Sequence, residues 1–348
     1  MNKSILFAVA VALPMFAQTG EVKTAGQQFK NVTELKDIPA DQLMPAMQFI
    51  TTSLGVTCET CHVAGKFEAD DKRPKKTARE MIAMQMMINK NAFHGQTQVT
   101  CYSCHRGSER PVAVPMVQES DAAPKMEAAP SGERPTPPAA DAILDKYVAA
   151  LGGADAMKKV TSREGKGVII VMGKETPLEI FTKAPNKRVT ISGGNSFTAF
   201  DGTSGWMGTT GKPARDMSPA DSMGSALDSE FYLGLRMKEI FTQLRPGRPD
   251  KIGDVDVVTL TGVRQGLPPV RFFFDARSGL LVRTVRYTEN PLGRMPVQID
   301  YSDYRDVGGA KTPFRWTLSR PNGRFTIQLN DVKANVAIDD SKFAKPAQ

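Results

Sequence analysis

The sequence predicts an α+β protein in two parts: a small, mainly α-helical N-terminal part tethered to a larger part of antiparallel strands with a few helices. Three observations predict this. Apolar residues recur at helical intervals between about residues 43 and 89. The stretch Arg110 to Ala140 then carries seven Pro among Ala, Glu and Ser, a composition that builds no core and reads as a semi-extended tether. Beyond residue 160, short β-rich runs alternate with turn signals such as Arg277-Ser278-Gly279 and Pro321-Asn322-Gly323. At 348 residues the chain is long enough for two domains, and the expected boundaries are 1–17, 18–110, 111–140 and 141–348.

Residues 1–17 read as a signal peptide. Lys3 gives a positive start, and Ile5 to Phe16 is an apolar run of signal-peptide length, too short to span a bilayer. Retention of the run as a short anchor is the alternative. Export to the periplasm is the expectation.

Residues 18–38 form a polar lead-in. From Pro39 the pattern turns helical: Leu43, Met47, Ile50 and Leu54 recur on one face and Gly55 is a natural stop. Pro45 is tolerable only in a first turn, so the helix starts near Leu43 or Met44. Val63 to Lys76 is rich in both charges and reads as a solvated loop, or as a docking surface for an acidic partner. Thr77 and Glu80 form a capping-box signature ahead of a second helix, on which Met81, Met84 and Ile88 share a face.

Each helix is followed by the same phrase. Val56-Thr57-Cys58-Glu59-Thr60-Cys61-His62 returns as Val99-Thr100-Cys101-Tyr102-Ser103-Cys104-His105. The chain has four Cys and three His, and all four Cys and two of the His fall in these repeats. Cys-x-x-Cys-His is the sequence form of covalent haem c attachment. The thiols of Cys58 and Cys61, and of Cys101 and Cys104, add across the haem vinyl groups. His62 and His105 then lie under the iron as proximal ligands. Two haem c groups are therefore expected. A zinc site of four cysteines would not need a His after each pair, and no βαβ pattern surrounds the pairs to suggest redox disulfides. The haem propionates would bring about four negative charges against a formal charge of +8, so no nucleic-acid partner is read from the charge.

The unit of Met-bearing helix, loop and Val-Thr-Cys-x-x-Cys-His resembles the haem-binding unit of the photosynthetic reaction centre cytochrome c subunit, most closely over Ala78–Met84 and Val99–Gly107. The resemblance covers roughly residues 30–112. It implies that a helix Met is the sixth iron ligand: Met81 on the second helix and Met47 on the first, with Met44 and Met84 as substitutes one turn away. A thioether favours reduced iron and raises the potential. Most of the remaining Met on these helices are expected as core filler. His94 is the other candidate sixth ligand, and Arg106 a candidate partner for a propionate. The family usually carries four haems and often a lipid-bearing Cys near its start. This chain has two motifs and no such Cys, so a photosynthetic partner does not follow. Helices this short bury little, and the haems are expected to supply much of the core.

In the second part, Ala142–Leu151 reads as an amphipathic helix closed by Gly152-Gly153. Strands are expected at 167–172, 178–183, 188–192, 196–200, 255–260, 270–275, 280–287, 297–304, 315–319 and 325–330, with helix between about 219 and 244. The stretches Leu144–Gly153, Asp303–Gly309, Thr312–Phe314 and Asn335-Val336 resemble the LolA/LolB-like lipoprotein-carrier fold. That resemblance implies a curved sheet, a half-barrel wrapped around helices, with an apolar cavity that would hold a lipid, a quinone or nothing. Trp206, Trp316 and Phe272-Phe273-Phe274 are core or pocket lining alike. There is no catalytic triad, no paired-carboxylate motif and no phosphate loop.

These readings converge on a periplasmic dihaem electron carrier that serves redox partner proteins, with a C-terminal binding or docking domain. The alternatives are a hydrophobic-ligand carrier with redox-sensing haems, and a peroxidase-like dihaem enzyme. The last would need an iron with an open position and an acid–base group above it.

Overall fold

The computed structural model describes residues 23–111 and 137–346. The predicted signal peptide and nearly all of the Pro-rich connection lie outside them. Among the described residues no helix is long and apolar enough to cross a membrane.

The N-terminal part is a set of helices: α1 (Ala25–Gln28), α2 (Leu43–Leu54), α3 (Cys58–Cys61), α4 (Arg73–Ala92) and α5 (Cys101–His105). Helix α2 starts and stops where the sequence placed it. Pro45 lies in its first turn, and Gly55 ends it in the left-handed conformation (φ 67°) that glycine adopts without cost. Helix α4 begins four residues before the predicted cap. Pro74 occupies its first turn, so Thr77 lies inside the helix instead of capping it.

The C-terminal part opens with α6 (Ala140–Ala150) and α7 (Ala154–Lys159). A sheet of fourteen strands follows: β1 (Ser162–Val171), β2 (Lys174–Lys183), β3 (Lys187–Ser192), β4 (Ser196–Phe200), β5 (Gly205–Thr209), β6 (Arg215–Asp216), β7 (Gln243–Pro246), β8 (Asp250–Ile252), β9 (Val255–Arg264), β10 (Leu267–Asp275), β11 (Leu281–Asn290), β12 (Gly293–Val307), β13 (Ala310–Arg320) and β14 (Gly323–Ala334). Helices α8 (Pro219–Asp228) and α9 (Leu233–Ile240) interrupt it after β6. Neighbours along the sheet run β6-β5-β4-β3-β2-β1-β14-β13-β12-β11-β10-β9-β7, with β8 also on β9. The pairs are antiparallel, and β1 meets β14, so the two ends of the strand sequence lie side by side mid-sheet. A sheet this wide, with the native strand twist, curves around the helices packed on it.

Its main core joins Ile143, Leu144 and Tyr147 of α6 and Met237 of α9 to Leu260, Val270, Phe272 and Phe274 of β9 and β10. The Phe272–Phe274 triplet is therefore core, and Trp206 is buried with Phe181, Val189 and Phe343 in a smaller cluster. Gly167 sits at a bulge of β1 against β14, where a side chain would strike the Gln328 backbone.

The helical part does not close on itself. Leu43, Ala46, Phe49, Ile50 and Ile82 form one cluster with Leu292 and Met295, which come from the tip of the β11–β12 hairpin. Leu292 is fully buried there. Gly293 is packed so closely that a methyl group would collide with the Phe49 ring and crowd Thr100. The hairpin thus supplies core that two short helices lack.

Candidate functional site

Both Cys-x-x-Cys-His phrases fold as one helical turn, α3 and α5, entered through an extended threonine, Thr57 or Thr100. In such a turn residues three apart share a face, so Cys58 and Cys61, and likewise Cys101 and Cys104, present their thiols together. All four thiols are unpaired. Burial pushes the Cys61 and Cys101 thiols up from the ordinary value. Among the described residues no three Cys, His, Asp or Glu side chains converge, so the four cysteines do not form a zinc tetrad.

Each histidine is fixed through one ring nitrogen. The Nδ1–H of His62 donates to the Phe67 carbonyl at 2.8 Å, and that of His105 donates to the Ser108 carbonyl at 3.0 Å. A carbonyl can only accept, so the proton sits on Nδ1 and the Nε2 lone pair is left for a metal. Residues of this chain therefore fit haem c in two respects: paired thiols on one turn, and a histidine oriented as a neutral ligand.

Two networks place these turns. Before the first turn's loop closes, Lys75 of α4, buried despite its charge, donates from Nζ to the carbonyls of Phe67, Glu68 and Ala69 at 3.0, 2.9 and 2.9 Å. It also pairs with Asp70 at 3.0 Å, and Arg79 pairs with the same carboxylate at 2.9 Å. Hydrogen bonds from Arg79 first, then Lys75 and Asn31, hold the Asp70 carboxyl well below the usual range. Lys72 donates to the Glu59 carbonyl within the first turn. For the second turn, buried Asn89 accepts from the Gln98 and Val99 amides (3.0 and 2.9 Å) and donates to the Val99 carbonyl (2.7 Å), which Gln85 also reaches (2.9 Å). Thr100 and Ser103 complete a capping box on α5.

The two turns meet. The Gly107 amide donates to the carbonyl of buried Ser53 in α2 at 2.8 Å, and Gly55 is so close to the Gly107 carbonyl that no side chain would fit. The exit of the second motif thus lies against the entrance of the first.

Lys75, Gln85 and Asn89 escaped the sequence reading, which took 63–76 as solvated loop. The signal was present: with α4 starting at Arg73, positions 75, 82, 85 and 89 fall on one helical stripe. That stripe also corrects the expectation that most helix methionines fill the core. Met44, Met81, Met84, Met86 and Met87 are exposed, as are Phe67, Phe93 and Tyr102, an apolar surface around the two turns. Met47 is partly buried, packed on the cluster that holds the hairpin. His94 is exposed, in the left-handed conformation (φ 52°) that ends α4, and the Gly95 amide closes back onto the Asn89 carbonyl. Arg106 likewise ends α5 at φ 52°.

The second feature is a cavity of about 1090 Å³ on the helix-bearing face of the sheet. It is large for a small-molecule pocket. Trp316, Ile327 and Leu329 line it, and its lining extends to Gln28, Phe29, Met44 and Gln48 of the helical part.

The family model for the photosynthetic reaction centre cytochrome C subunit matches residues 5–145. The subunit from Thermochromatium tepidum is 33% identical over 129 residues, 36% of this chain and 30% of that protein. The subunit from Rubrivivax gelatinosus is 32% identical over 120 residues, 32% of each. The chain thus spans about a third of the length of the curated relatives it matches. Among solved structures, a LolA superfamily protein from Nitrosomonas europaea covers 59% of this chain and 97% of its own at 13% identity and TM-score 0.41. A putative outer membrane lipoprotein-sorting protein domain from Vibrio parahaemolyticus covers 58% and 97% at 10% identity and TM-score 0.42. The N-terminal part of the chain therefore resembles the reaction centre cytochrome c subunit family.

Proposed function

We propose that this protein is a periplasmic electron carrier with two haem c groups, one on Cys58, Cys61 and His62, the other on Cys101, Cys104 and His105. The observation that carries the reading is the pair of Nδ1–H···O=C bonds, which leaves each Nε2 free beside two thiols of the same turn. The groups would supply one-electron chemistry. The chain's own work is to hold the histidines in one tautomer, to shield the iron, and to present the turns to redox partner proteins. Met47 and Met81 are the proposed sixth ligands, with Met44 and Met84 as the alternates one turn away; the exposure of Met44, Met81 and Met84 suits side chains that a haem would cover. The intact mass of the exported protein should exceed that of the cleaved chain by two haems. Met47→Ala and Met81→Ala should each lower one midpoint potential and open one iron to small ligands; unchanged potentials in both, and in the alternate pair, would refute methionine ligation.

A second reading, a hydrophobic-ligand carrier whose haems sense redox state, is favoured by one observation: the cavity of the sheet and α2 share lining at Met44 and Gln48. In either reading the C-terminal part is a ligand-binding domain.

A further inference from the structure

The cavity lining includes two half-buried arginines, Arg163 and Arg188, that no carboxylate pairs. Three guanidinium groups line its interior: Arg163 of β1, Arg188 of β3 and Arg286 of β11. Of the lining carboxylates, Asp228 at the end of α8 is the one that pairs with any of the three. It pairs with Arg286 at 2.6 Å, while its backbone carbonyl accepts from Arg188 at 3.1 Å. Glu230 also lines the cavity, but its carboxylate is bound to Arg236 at 2.8 Å. Among the described residues neither Arg163 nor Arg188 has a carboxylate within ion-pair distance.

Arg163 is the least compensated of the three. Its guanidinium lies 4.3 Å from the centre of the Phe231 ring, and its buried Nε has no hydrogen-bond partner. Burial pulls its pKa down to about 10, and the groups that oppose this are the hydroxyls of Tyr232 and Tyr147. Arg286 is also buried with an unpartnered Nε, and Gly224 leaves the room its guanidinium needs. Arg188 lies 5.6 Å from the Trp316 ring. Arg163 and Arg188 are half-buried and have no carboxylate partner, an arrangement that is unfavourable unless something anionic reaches them. The wall is mixed, and its apolar stretch is formed by Ile169, Leu178, Ile180, Leu318, Phe325 and Ile327.

We propose that the cavity binds an anionic amphiphile, its acidic head group received by Arg163 with Arg188 and Arg286, its chain lying along the apolar wall. This rests on the reading of the C-terminal part as a ligand-binding domain and adds the charge of the ligand and the residues that select it. The head group is a planar carboxylate or a phosphate, both of which a guanidinium fork fits.

The test is equilibrium binding to the full-length haem-loaded protein after delipidation, with oleate, lysophosphatidate and the uncharged monoolein as probes. One of the two anions should bind at least ~10-fold more tightly than monoolein, and the tighter one identifies the head group. Arg163→Gln should remove that preference, leaving the anion no tighter than monoolein. Arg188→Gln, whose guanidinium lies over Trp316, should reduce it in the same sense. Circular dichroism and the haem spectrum verify folding, and the second variant stands if the first does not fold. Equal binding of monoolein and both anions, or indifference of the anion to both substitutions, overturns the proposal and leaves the ligand-binding reading intact. Failure of all three probes to bind overturns both.

Discussion

Phe67 offers one carbonyl to two donors, the imidazole of His62 at 2.8 Å and the ammonium of Lys75 at 3.0 Å. A cation on that oxygen draws its electron density away from the imidazole. The histidine then becomes a weaker donor to iron, which favours the reduced state. Replacing Lys75 by Met should therefore lower the potential of the haem proposed on His62 and spare that of the one proposed on His105. An interaction of about 1 kcal/mol corresponds to roughly 40 mV for one electron, well resolved by spectroelectrochemistry. The same substitution strips three carbonyls of a donor and should cost about 3 kcal/mol in stability. Asp70→Asn, by removing the negative charge beside Lys75, should move that potential upward, so the pair of variants separates charge from simple loosening. Acid acts on the same cluster. A carboxyl held below its ordinary value of 3.8 contributes fully above that value and loses its contribution as pH falls through the lowered one. The His62 haem spectrum should therefore hold from pH 7 to about 4 and change only in stronger acid; a transition near pH 6 would contradict the assignment to Asp70.

At the scale of elements, the β11–β12 hairpin links the two parts. Asn290 pairs with Gly293 at its end, and Leu292 is driven into the cluster of α2 and Ile82. Leu292→Ala should destabilise the protein by about 3 kcal/mol, since it deletes a fully buried side chain. The loss should appear first in denaturant titrations followed at the haem bands. Nothing in the hairpin sequence announced this role, because a Leu at a turn looks like an ordinary surface residue until its partner is known. Other elements were legible for clear reasons. Helix α2 carries its own start, stripe and glycine stop, and Ser196–Phe200 is a short apolar-rich run between turns. The long strands were found but read short at the ends: β12 continues to Val307 and β14 to Ala334, where charged residues interrupt the apolar signal. Strands β5 to β8 were missed, being two to five residues long with Gly, Arg and Asp among them. The Cys-x-x-Cys-His turns were visible because their chemistry is local in sequence. The cavity lining of Arg163, Arg188 and Arg286 was not, because it is drawn from three strands far apart in the chain.

For the molecule as a whole, the shared core decides how separable the two parts are. The Pro-rich composition of the connection suggests a free tether, yet Leu292 and Met295 complete the cluster beneath α2, and Cys101 packs against the same cluster. A chain ending at residue 111 would keep both Cys-x-x-Cys-His turns and lose that support. Its exposed apolar face would be larger, and a domain of that size has little stability to spare. Expressed alone from residue 1, the helical part should still acquire the proposed covalent haem, since attachment needs only the thiols and the histidine. It should unfold in less denaturant than the full protein, with the His105 haem affected more than the His62 haem, because Thr100 and Cys101 lie nearest the missing hairpin. Comparing the two proteins by denaturant titration at each haem's absorption band tests this. Equal midpoints would mean that the hairpin contact contributes nothing to the stability of the helical part.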